Sequence, residues 1–210
     1  MISRRMFSSW MQRHVSDGYV KQSAKDGYRS RSAYKLIEMN QKVRLFKLPI
    51  NILDLGSSPG GWSQVVLKFI SKNPDSKLTS VDILPMNYLH GCSFLQLDML
   101  KESSIDEIIK HTGQNVDLIL SDMSSNHSGM TDFDCLSLTE LNNSVLHVSK
   151  KLLKPGGNVL MKMLMGASEP EHYKSISNYF TKVIRVKPNA SRKESKEFYY
   201  YCTGWKVNIL

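Results

Sequence analysis

The chain has 210 residues, of which 41% are hydrophobic, and this length provides for one domain with a sizeable core but not for two. No apolar run approaches the roughly 18 uncharged residues of a membrane span, and Cys92, Cys135 and Cys202 form no C-x-x-C pair, so we expect neither a membrane protein nor a cysteine metal site. The net charge of +9 is concentrated in Met1–Lys47 and Lys182–Leu210, which predicts an RNA or DNA partner, although charge that only aids solubility is the alternative.

The N-terminal segment Met1–Ser16 is basic and contains no acidic residue. It has three arginines, several serines, Phe7 and Trp10. Mitochondrial targeting segments have this composition, and so does an RNA-binding arm that stays on the protein. We favour the targeting segment, which places the protein in the mitochondrion, with the cytoplasm as the alternative. Residues 17–210 are then a single domain.

The first predicted elements are a helix, a strand and a glycine-rich turn. Ser30–Val43 begins with candidate serine caps and has helical periodicity, with Lys35 outside the stripe of residues that share one face. That stripe comprises Ala33, Leu36, Ile37 and Asn40. Ile50–Leu55 predicts a buried strand, which runs into the turn Gly56–Gly61, and the helix Trp62–Ile70 follows.

The remaining sequence continues to alternate strands and helices. The predicted strands are Lys77–Ile83, Ser93–Leu97, Val116–Asp122, Asn158–Leu164, Lys182–Lys187 and Phe198–Thr203. The predicted helices are Ser104–His111, Leu138–Leu153, which the K-P-G-G string at Lys154–Gly157 stops, and Glu169–Phe180. This order predicts an α/β fold, doubly wound around a mostly parallel sheet that helices cover on both faces. The last two strands are close enough to form an antiparallel pair at one edge.

The turn Gly56–Gly61 lies where open α/β sheets bind ligands, outside the carboxyl end of the first strand. Gly56, Gly60 and Gly61 allow a backbone to approach a ligand closely, while Pro59 stiffens the loop. The turn departs from the G-x-G-x-x-G pattern that places a dinucleotide pyrophosphate on a helix N-terminus. A nicotinamide cofactor is therefore disfavoured.

Two acidic residues at strand ends favour a nucleoside ligand instead. Asp82 ends the second strand, where a carboxylate accepts hydrogen bonds from ribose hydroxyls, and Asp98 follows the third, where it could accept from an exocyclic amine. Either acid could also be an ordinary turn residue. With the glycine turn, the two predict an adenosine pocket, which Trp62 helps to wall. Asp54, inside the first strand, either orients the loop or is a buried acid satisfied by backbone amides.

Six strings, in this order and at these separations, are similar to one known family. They are Y-R-S-R-S-A-Y-K-L at Tyr28–Leu36, L-D-L-G-S-S-P-G-G-W-S-Q at Leu53–Gln64, V-D-I-L-P-M at Val81–Met86, S-D-M at Ser121–Met123, L-K-P-G-G at Leu153–Gly157 and K-P-N-A-S-R-K-E-S-K-E-F-Y at Lys187–Tyr199. They resemble the FtsJ/RrmJ family of RNA 2′-O-ribose methyltransferases, from about Asp17 to Trp205. The chain departs from the family at Ser57-Ser58, where Ala-Ala is frequent, and at Ser124-Ser125, where Ala-Pro stands.

This resemblance implies a fold and a cofactor. The family has a Rossmann-like class I methyltransferase fold, with a seven-stranded, mostly parallel sheet and an antiparallel edge strand. Its methyl donor is S-adenosylmethionine, and no metal is expected. The family's cofactor contacts fall on Gly60, Trp62, Asp82, Asp98 and Asp122, to which the glycine turn adds Gly56 and Gly61.

The family's catalytic K-D-K-E tetrad falls on Lys35, Asp122, Lys162 and Glu197. Lys162 interrupts an apolar strand, which is costly without partners, although a lysine that snorkels at a strand end is the alternative. We expect Lys162 to accept the proton of a ribose hydroxyl and Asp122 to orient it near the methyl donor, while the other two residues position the ribose. Burial and the cation of Lys35 favour a neutral Lys162, and the two carboxylates oppose it.

RNA contacts are expected at basic residues that flank the tetrad in sequence, namely Arg29, Arg31, Arg192 and Lys193. Such cations bind phosphates without reading the base sequence. The substrate that the resemblance implies is large-subunit ribosomal RNA, free or within a pre-ribosomal large subunit, modified by a monomer of the mitochondrial branch on a uridine of the peptidyl-transferase region. The alternatives are methylation of transfer RNA anticodon loops and an RNA-binding scaffold for ribosome assembly.

Overall fold

Seven strands form one sheet in the part of the chain that the structure, a computed structural model, describes: residues 16–113, 115–124, 131–166, 168–192 and 194–206. The strands are β1 (Asn51–Leu55), β2 (Lys77–Asp82), β3 (Ser93–Gln96), β4 (Val116–Ser121), β5 (Leu153–Leu164), β6 (Phe180–Val186) and β7 (Glu197–Trp205). The helices are α1 (Gly18–Lys25), α2 (Ser32–Val43), α3 (Gly61–Ile70), α4 (Glu102–Thr112), α5 (Thr131–Leu152) and α6 (Glu169–Tyr179).

The strands lie in the order β3-β2-β1-β4-β5-β7-β6. Parallel pairing joins the first five, whereas β7 runs antiparallel to both of its neighbours, β5 and β6. The direction of winding reverses between β1 and β4, so the turn after β1 and the end of β4 meet at the switch point where doubly wound sheets bind ligands. The predicted fold with its antiparallel edge pair is confirmed. The antiparallel strand itself lies second from the edge.

Successive residues of the central strands point to opposite faces, and each face has its own core. On one face, α2 and α3 cover Ile52, Leu118 and Leu160. On the other, α4, α5 and α6 cover Leu53, Ile119, Met161 and Met163. We refer to these as the α2–α3 face and the α4–α6 face.

Two predicted boundaries move by more than a few residues. The helix predicted from Leu138 begins at Thr131, in a stretch where polar residues interrupt the apolar periodicity. The strand predicted from Asn158 already begins at Leu153, which pairs with Val116. Because the next paired residue of β5 is Asn158, the K-P-G-G string lies in an irregularity of the β4–β5 ladder rather than in a separate loop.

The apolar stripe of α2 also differs in detail from the prediction. Ala33 and Leu36 are fully buried, and Met39 joins them. Ile37 and Asn40 are only partly buried. The residues on the buried face of this helix are therefore three positions apart, whereas the predicted stripe alternated steps of three and one.

Helix α1 forms where the sequence analysis predicts none. The carboxylate of Asp17 caps it by accepting a hydrogen bond from the backbone N–H of Tyr19 at 3.0 Å. Only Ser23 of this helix is buried, so the apolar periodicity that reveals the other helices is missing. Contacts with α2 hold α1 instead, among them the hydrogen bond from the Tyr19 hydroxyl to Glu38 at 3.2 Å.

Other expectations concern the ends of the chain and its thiols. Residues 1–15, which carry most of the predicted targeting segment, lie outside the described residues, and that prediction stays open. Among the helices that the structure describes, none is long and apolar enough to cross a membrane. Cys135 and Cys202 are buried, and Cys92 is partly exposed.

Candidate active site

Lys162 points out of the sheet toward helix α2. On β5 it lies between Met161 and Met163, which belong to the core of the α4–α6 face, so strand alternation directs Lys162 to the α2–α3 face. Tyr199 of β7 lies opposite Lys162, and Glu197, two residues earlier on that strand, points the same way. Antiparallel pairing of β5 with β7 therefore brings an ammonium and a carboxylate that are distant in sequence to one side of the sheet.

The four tetrad residues form two ion pairs on this side. Lys162 Nζ lies 2.6 Å from Asp122 Oδ1 and also donates to the backbone carbonyl of Asp122 at 2.8 Å. Lys35, in the first turn of α2, lies 2.5 Å from Glu197 Oε1. The four side chains are between 10% and 16% exposed, so they are largely shielded from water yet still reachable from outside. The structure thus brings together all four residues of the predicted tetrad.

The two pairs also influence each other. Burial would raise the pKa of Asp122, but the cations of Lys162 and Lys35 outweigh it and leave the pKa below its usual range. Burial likewise would raise the pKa of Glu197. The cation of Lys35, and to a smaller extent that of Lys162, outweighs this effect and leaves the pKa below its usual range. Since each carboxylate responds to both lysines, the four side chains act as one charge cluster in which both acids are ionised near neutral pH.

Two hydroxyl groups complete the cluster. The phenol of Tyr199 donates to Asp122 Oδ1 at 2.8 Å, and the hydroxyl of Ser191 donates to Glu197 Oε1 at 2.8 Å. Tyr199 is fully buried, and burial, reinforced by the two carboxylates, raises its pKa well above the usual value, so it remains a donor. The sequence predicts a role for neither residue, because both lie within Lys187–Tyr199 without a local signal that separates them from their neighbours.

A cavity of about 370 Å³ opens beside the Lys35–Glu197 pair. Its lining residues are Arg31, Ser32, Lys35, Arg192, Glu194, Ser195 and Glu197. This volume is in the range of small-ligand pockets. Because both partners of the ion pair line the cavity, a group that enters it contacts the charge cluster directly. We call this the substrate cavity.

The glycine-rich turn packs closely against the protein itself. Gly56 has a φ of 74°, and a Cβ there would lie 2.7 Å from the backbone N of Met123. Gly60 has a φ of 111°, and its Cβ would lie 2.9 Å from Arg29 Nη1. Gly61 likewise has no room for a Cβ. The glycines predicted to admit a ligand are therefore also required for contact with the segment before α2 and with the residue after Asp122.

Arg29 holds this turn in place. Its guanidinium donates to the backbone carbonyls of Pro59 at 3.2 Å, Asn87 at 2.8 Å and Tyr88 at 2.7 Å. Its backbone N–H donates to Gln64 Oε1 at 2.7 Å. These contacts favour a structural role for Arg29 at the glycine-rich turn, which we also call the cofactor turn, over the RNA contact that its sequence position predicts.

Asp82 and Asp98 follow neighbouring strands, as expected for an adenosine pocket. Asp82 accepts hydrogen bonds from the backbone N–H groups of Ser58 and Leu84, each at 2.8 Å, and Asp98 accepts from that of Leu100 at 3.0 Å. A carboxylate oxygen has two lone pairs, so both acids can still accept from a ligand. Leu84 and Leu100 are 60% and 54% exposed, which provides apolar surface for the face of a base.

Asp54 matches the second of its two predicted roles in its burial but not in its hydrogen-bond partner. It is fully buried, and its Oδ2 accepts a hydrogen bond from Ser63 Oγ at 2.7 Å, which itself bonds Ser80 Oγ at 3.0 Å. The acid thus binds a side-chain hydroxyl of α3 rather than backbone amides, and so ties β1 to the helix behind the turn. Burial raises the pKa of Asp54 to about 7.

Trp62 does not wall an open pocket, contrary to the prediction. Its side chain is 2% exposed, its indole N–H donates to the carbonyl of Ser32 at 2.9 Å, and its ring centroid lies 5.7 Å from that of Tyr199. A bulky ring in this position joins α3 to the start of α2 beneath the charge cluster. Because the ring is buried, only the backbone of Trp62 can contact a cofactor.

Arg31 and Arg192, two of the other predicted RNA contacts, lie at the substrate cavity. Arg31 forms an ion pair with Asp17 and donates to the carbonyl of Ala190. Arg192 Nε lies 3.4 Å from the same Asp17 oxygen. Lys193 lies outside the described residues.

Comparison with known sequences finds methyltransferases. The FtsJ-like methyltransferase family matches residues 28–205. A protein of Pseudomonas fluorescens named Ribosomal RNA large subunit methyltransferase E is 38% identical over 94% of this chain and 94% of its own length. A protein of Bartonella bacilliformis with the same name is 40% identical over 94% of this chain and 83% of its own length.

Solved structures agree with this fold. A ribosomal RNA methyltransferase from Plasmodium falciparum superposes with a TM-score of 0.78 at 29% identity and covers 86% of this chain and 100% of its own. Human methyltransferase-like protein 13 in complex with SAH has a TM-score of 0.56 at 17% identity, covers 85% of this chain and 82% of its own, and supports the fold alone. Because the family match spans most of the sequence, the chain belongs to the FtsJ-like methyltransferases, with S-adenosylmethionine as methyl donor.

Proposed function

We propose that this protein methylates a ribose 2′-hydroxyl of large-subunit ribosomal RNA, on a uridine of the peptidyl-transferase region, and acts as a monomer on free RNA or on a pre-ribosomal large subunit. The observation that carries the proposal is the charge cluster of Lys35, Asp122, Lys162 and Glu197, of which Lys35 and Glu197 line the substrate cavity and Asp122 lies beside the glycine turn. Relatives named Ribosomal RNA large subunit methyltransferase E support ribosomal RNA as the substrate class.

The residues of the switch point fit the methyl donor. Asp82 and Asp98 would accept hydrogen bonds from its ribose and its base, and the exposed Leu84 and Leu100 would cover the face of the adenine. Asp122 directly follows the last residue of β4. It lies beside the glycine turn, because its backbone N–H donates to the carbonyl of Leu55, the residue before that turn, at 3.1 Å. When bound, S-adenosylmethionine supplies an electrophilic methyl group on a sulfonium.

Lys162 is placed to take the proton of the 2′-hydroxyl. Two oxygens of Asp122, one from the side chain and one from the backbone, hold its Nζ. In its neutral form a lysine amine has two N–H bonds, which these two oxygens accept, and one lone pair, which is left to take the proton of the ribose hydroxyl. Asp122 therefore orients the amine, and the phenol of Tyr199 orients Asp122 in turn. Proton transfer by a group positioned in this way accelerates reactions by about 10²–10⁴-fold.

Lys35 and Glu197 are placed to hold the ribose. Both line the substrate cavity, where Lys35 can donate to hydroxyl oxygens and Glu197 can accept from hydroxyl groups. The hydroxyl of Ser191 fixes the orientation of Glu197. Alignment of this kind contributes most when the reacting atoms are about 3–3.5 Å apart.

Arg31 and Arg192 are the RNA-contacting residues that we propose from the structure, because both line the cavity beside the ribose-binding pair. Lys193 remains a proposed contact on its sequence position alone. Arg29 is left out, because its donors already serve three backbone carbonyls.

The test is methylation in vitro with the full chain, methyl-labelled S-adenosylmethionine and three substrates: large-subunit ribosomal RNA, isolated large subunits and transfer RNA. The product nucleoside is identified by mass spectrometry, and its 3′ linkage is tested for resistance to alkali, which needs a free 2′-hydroxyl to cleave RNA. We expect 2′-O-methyluridine in large-subunit RNA, and no product from Lys162→Ala.

Three results would overturn the proposal. Label on a base would remove the ribose hydroxyl as acceptor, and label in transfer RNA alone would favour the anticodon-loop alternative. Full rescue of a deletion strain by Lys162→Ala would favour an assembly scaffold that binds RNA without catalysis.

The compartment is a separate proposal. We propose a mitochondrial location from the basic, acid-free segment Met1–Ser16. The two relatives described above are bacterial and offer no support for it. A fluorescent fusion of Met1–Ser16 that stayed in the cytoplasm, while the full chain did too, would contradict it.

A further inference from the structure

Asp17 joins two arginines that come from opposite ends of the domain. Its Oδ2 pairs with Nη1 of Arg31 and lies 3.4 Å from Nε of Arg192. Its Oδ1 accepts the backbone N–H of Tyr19 at 3.0 Å and so caps α1. The Asp17 side chain is only 11% exposed, so this carboxylate is committed to the protein and is not a solvated surface charge.

The two arginines face the substrate cavity together because of this carboxylate. Arg31 precedes α2, and Arg192 lies in the loop before β7, and both line the cavity with Lys35 and Glu197. Two guanidinium groups at one place repel each other, and an acid between them offsets that repulsion. Arg31 is further held by the carbonyl of Ala190 and by the ring of Tyr19, whose centroid lies 5.6 Å from the guanidinium carbon.

A phosphodiester is the ligand whose chemistry matches this pair. Guanidinium groups present a fork of N–H donors that fits phosphate oxygens, and such charge-assisted bonds are stronger than neutral ones. Arg192 keeps 36% of its side chain exposed and Arg31 keeps 16%, so both can reach a group in the cavity while Asp17 holds them from behind.

We propose that Asp17 is a positioning residue for RNA: it holds Arg31 and Arg192 at the cavity so that they bind the phosphodiester attached to the target ribose. The proposal rests on the proposed function, since it takes RNA as the substrate. Without the carboxylate, both long side chains sample other rotamers, and binding of the phosphate must order them again.

The test compares Asp17→Asn with Asp26→Asn. Asparagine is as good an N-cap as aspartate, so the first variant keeps the start of α1 while it loses the ion pairs. Asp26 ends the same helix and accepts hydrogen bonds from Gln22 and Tyr34 instead, so the second variant makes the same charge change away from the arginines. Steady-state methylation of large-subunit RNA is measured for both, with thermal unfolding to confirm that each is folded at the assay temperature.

We expect Asp17→Asn to raise the KM for RNA about tenfold, with kcat and the KM for S-adenosylmethionine within about twofold of wild type, as for loss of a substrate contact made equally in ground and transition states. Asp26→Asn should leave all three values unchanged. Equal KM values for the two variants would overturn the proposal, as would a lower KM in Asp17→Asn, which would mean that the acid shields the arginines from RNA.

A second variant leaves Asp17 in place and so covers the case in which Asp17→Asn fails to fold. Arg192→Gln removes one partner of the carboxylate and should by itself raise the KM for RNA, and an unchanged KM would overturn the proposal. Where both single variants fold, the double variant should be no worse in KM than the more affected single variant if the two residues act through each other. Additive effects would contradict the coupling. Failure of the wild type to methylate ribose would remove the proposed function, whereas normal wild-type activity with matched Asp17 and Asp26 variants would remove only this inference.

Discussion

The cofactor side and the substrate side of the active site differ in the groups that shape them. Two arginines of one short segment show the contrast. The guanidinium of Arg29 donates hydrogen bonds to three backbone carbonyls of the cofactor side. Arg31 pairs with the carboxylate of Asp17 and lines the substrate cavity. The cofactor side is thus shaped by backbone atoms and glycines, whereas the substrate side is shaped by charged side chains from distant parts of the chain.

This difference separates two kinds of sensitivity. On the cofactor side a substitution acts through the shape of a loop, because Gly56 and Gly60 have no room for a Cβ. On the substrate side it acts through charge, so its effect should depend on ionic strength. The charge cluster lies between the two sides and should be the most sensitive place in the molecule.

The largest effect is expected at the point where the two sides meet. Lys162→Arg keeps a cation beside Asp122 but removes a group that can give up a proton, since arginine stays protonated in proteins. We expect the single-turnover rate to fall by about 10²–10⁴-fold, with S-adenosylmethionine and RNA binding retained. Rates measured from pH 6 to 9 check this, and an unchanged rate and pH profile would show that Lys162 is not the base.

A smaller loss is expected from Gly56→Ala, which tests the backbone character of the cofactor side. The new Cβ would lie 2.7 Å from the N of Met123 at a φ of 74°. We expect a loss of about 1–3 kcal/mol in unfolding free energy and weaker S-adenosylmethionine binding. Calorimetric titration and chemical denaturation measure the two quantities. Gly113→Ala, also at positive φ but with open space for a Cβ, is the matched control, and it should leave cofactor binding unchanged.

The pair Arg29→Lys and Arg31→Lys sharpens the comparison directly. A lysine cannot reach three carbonyls at once, so Arg29→Lys should raise the KM for S-adenosylmethionine by roughly tenfold and leave the KM for RNA nearly unchanged. Arg31→Lys should do the reverse. Kinetics with each substrate varied in turn distinguish the two. If both variants changed the same KM, the division of the site into two sides would be wrong.

The smallest effect is expected from Asp54→Asn, which removes a buried titrating group behind the turn. Since the pKa of Asp54 is raised to about 7, the folded state holds a proton that the unfolded state has lost, and stability falls as pH rises toward 7. The wild type should therefore lose on the order of 1 kcal/mol relative to the variant between pH 6 and pH 8. Denaturation at both pH values measures this. Asp122 and Glu197 stay ionised in this window, because their pKa values are lowered.

Much of the fold follows from local patterns. The apolar run of β1 and the glycine turn after it occur where the sequence predicts them, because hydrophobic burial and positive φ leave direct marks in residue choice. A lysine inside the apolar strand β5 is also visible locally as an unusual choice. Helix α1 leaves no such mark, since only one of its residues is buried and its partners lie on α2.

The candidate site was only partly open to prediction. Family resemblance identified the four charged residues, but it did not reveal that Tyr199 and Ser191 orient the two carboxylates. The resemblance also suggested that Trp62 faces the cofactor, and the basic residues that flank the tetrad in sequence suggested that Arg29 contacts RNA. The structure buries the first and engages the second with backbone carbonyls, because which way a side chain points depends on neighbours that are distant in sequence.

The sequence by itself determined the alternation of strands and helices, the position of the cofactor turn and the identity of the charged residues, since each is recorded in local spacing or in a motif. Only the tertiary structure decided which charges pair. Antiparallel pairing of β5 with β7 places Glu197 near Lys162. Asp17 pairs with both Arg31 and Arg192, which are distant from each other in the sequence. Pairing depends on distances in space, and those arise only when the sheet and its covering helices have packed.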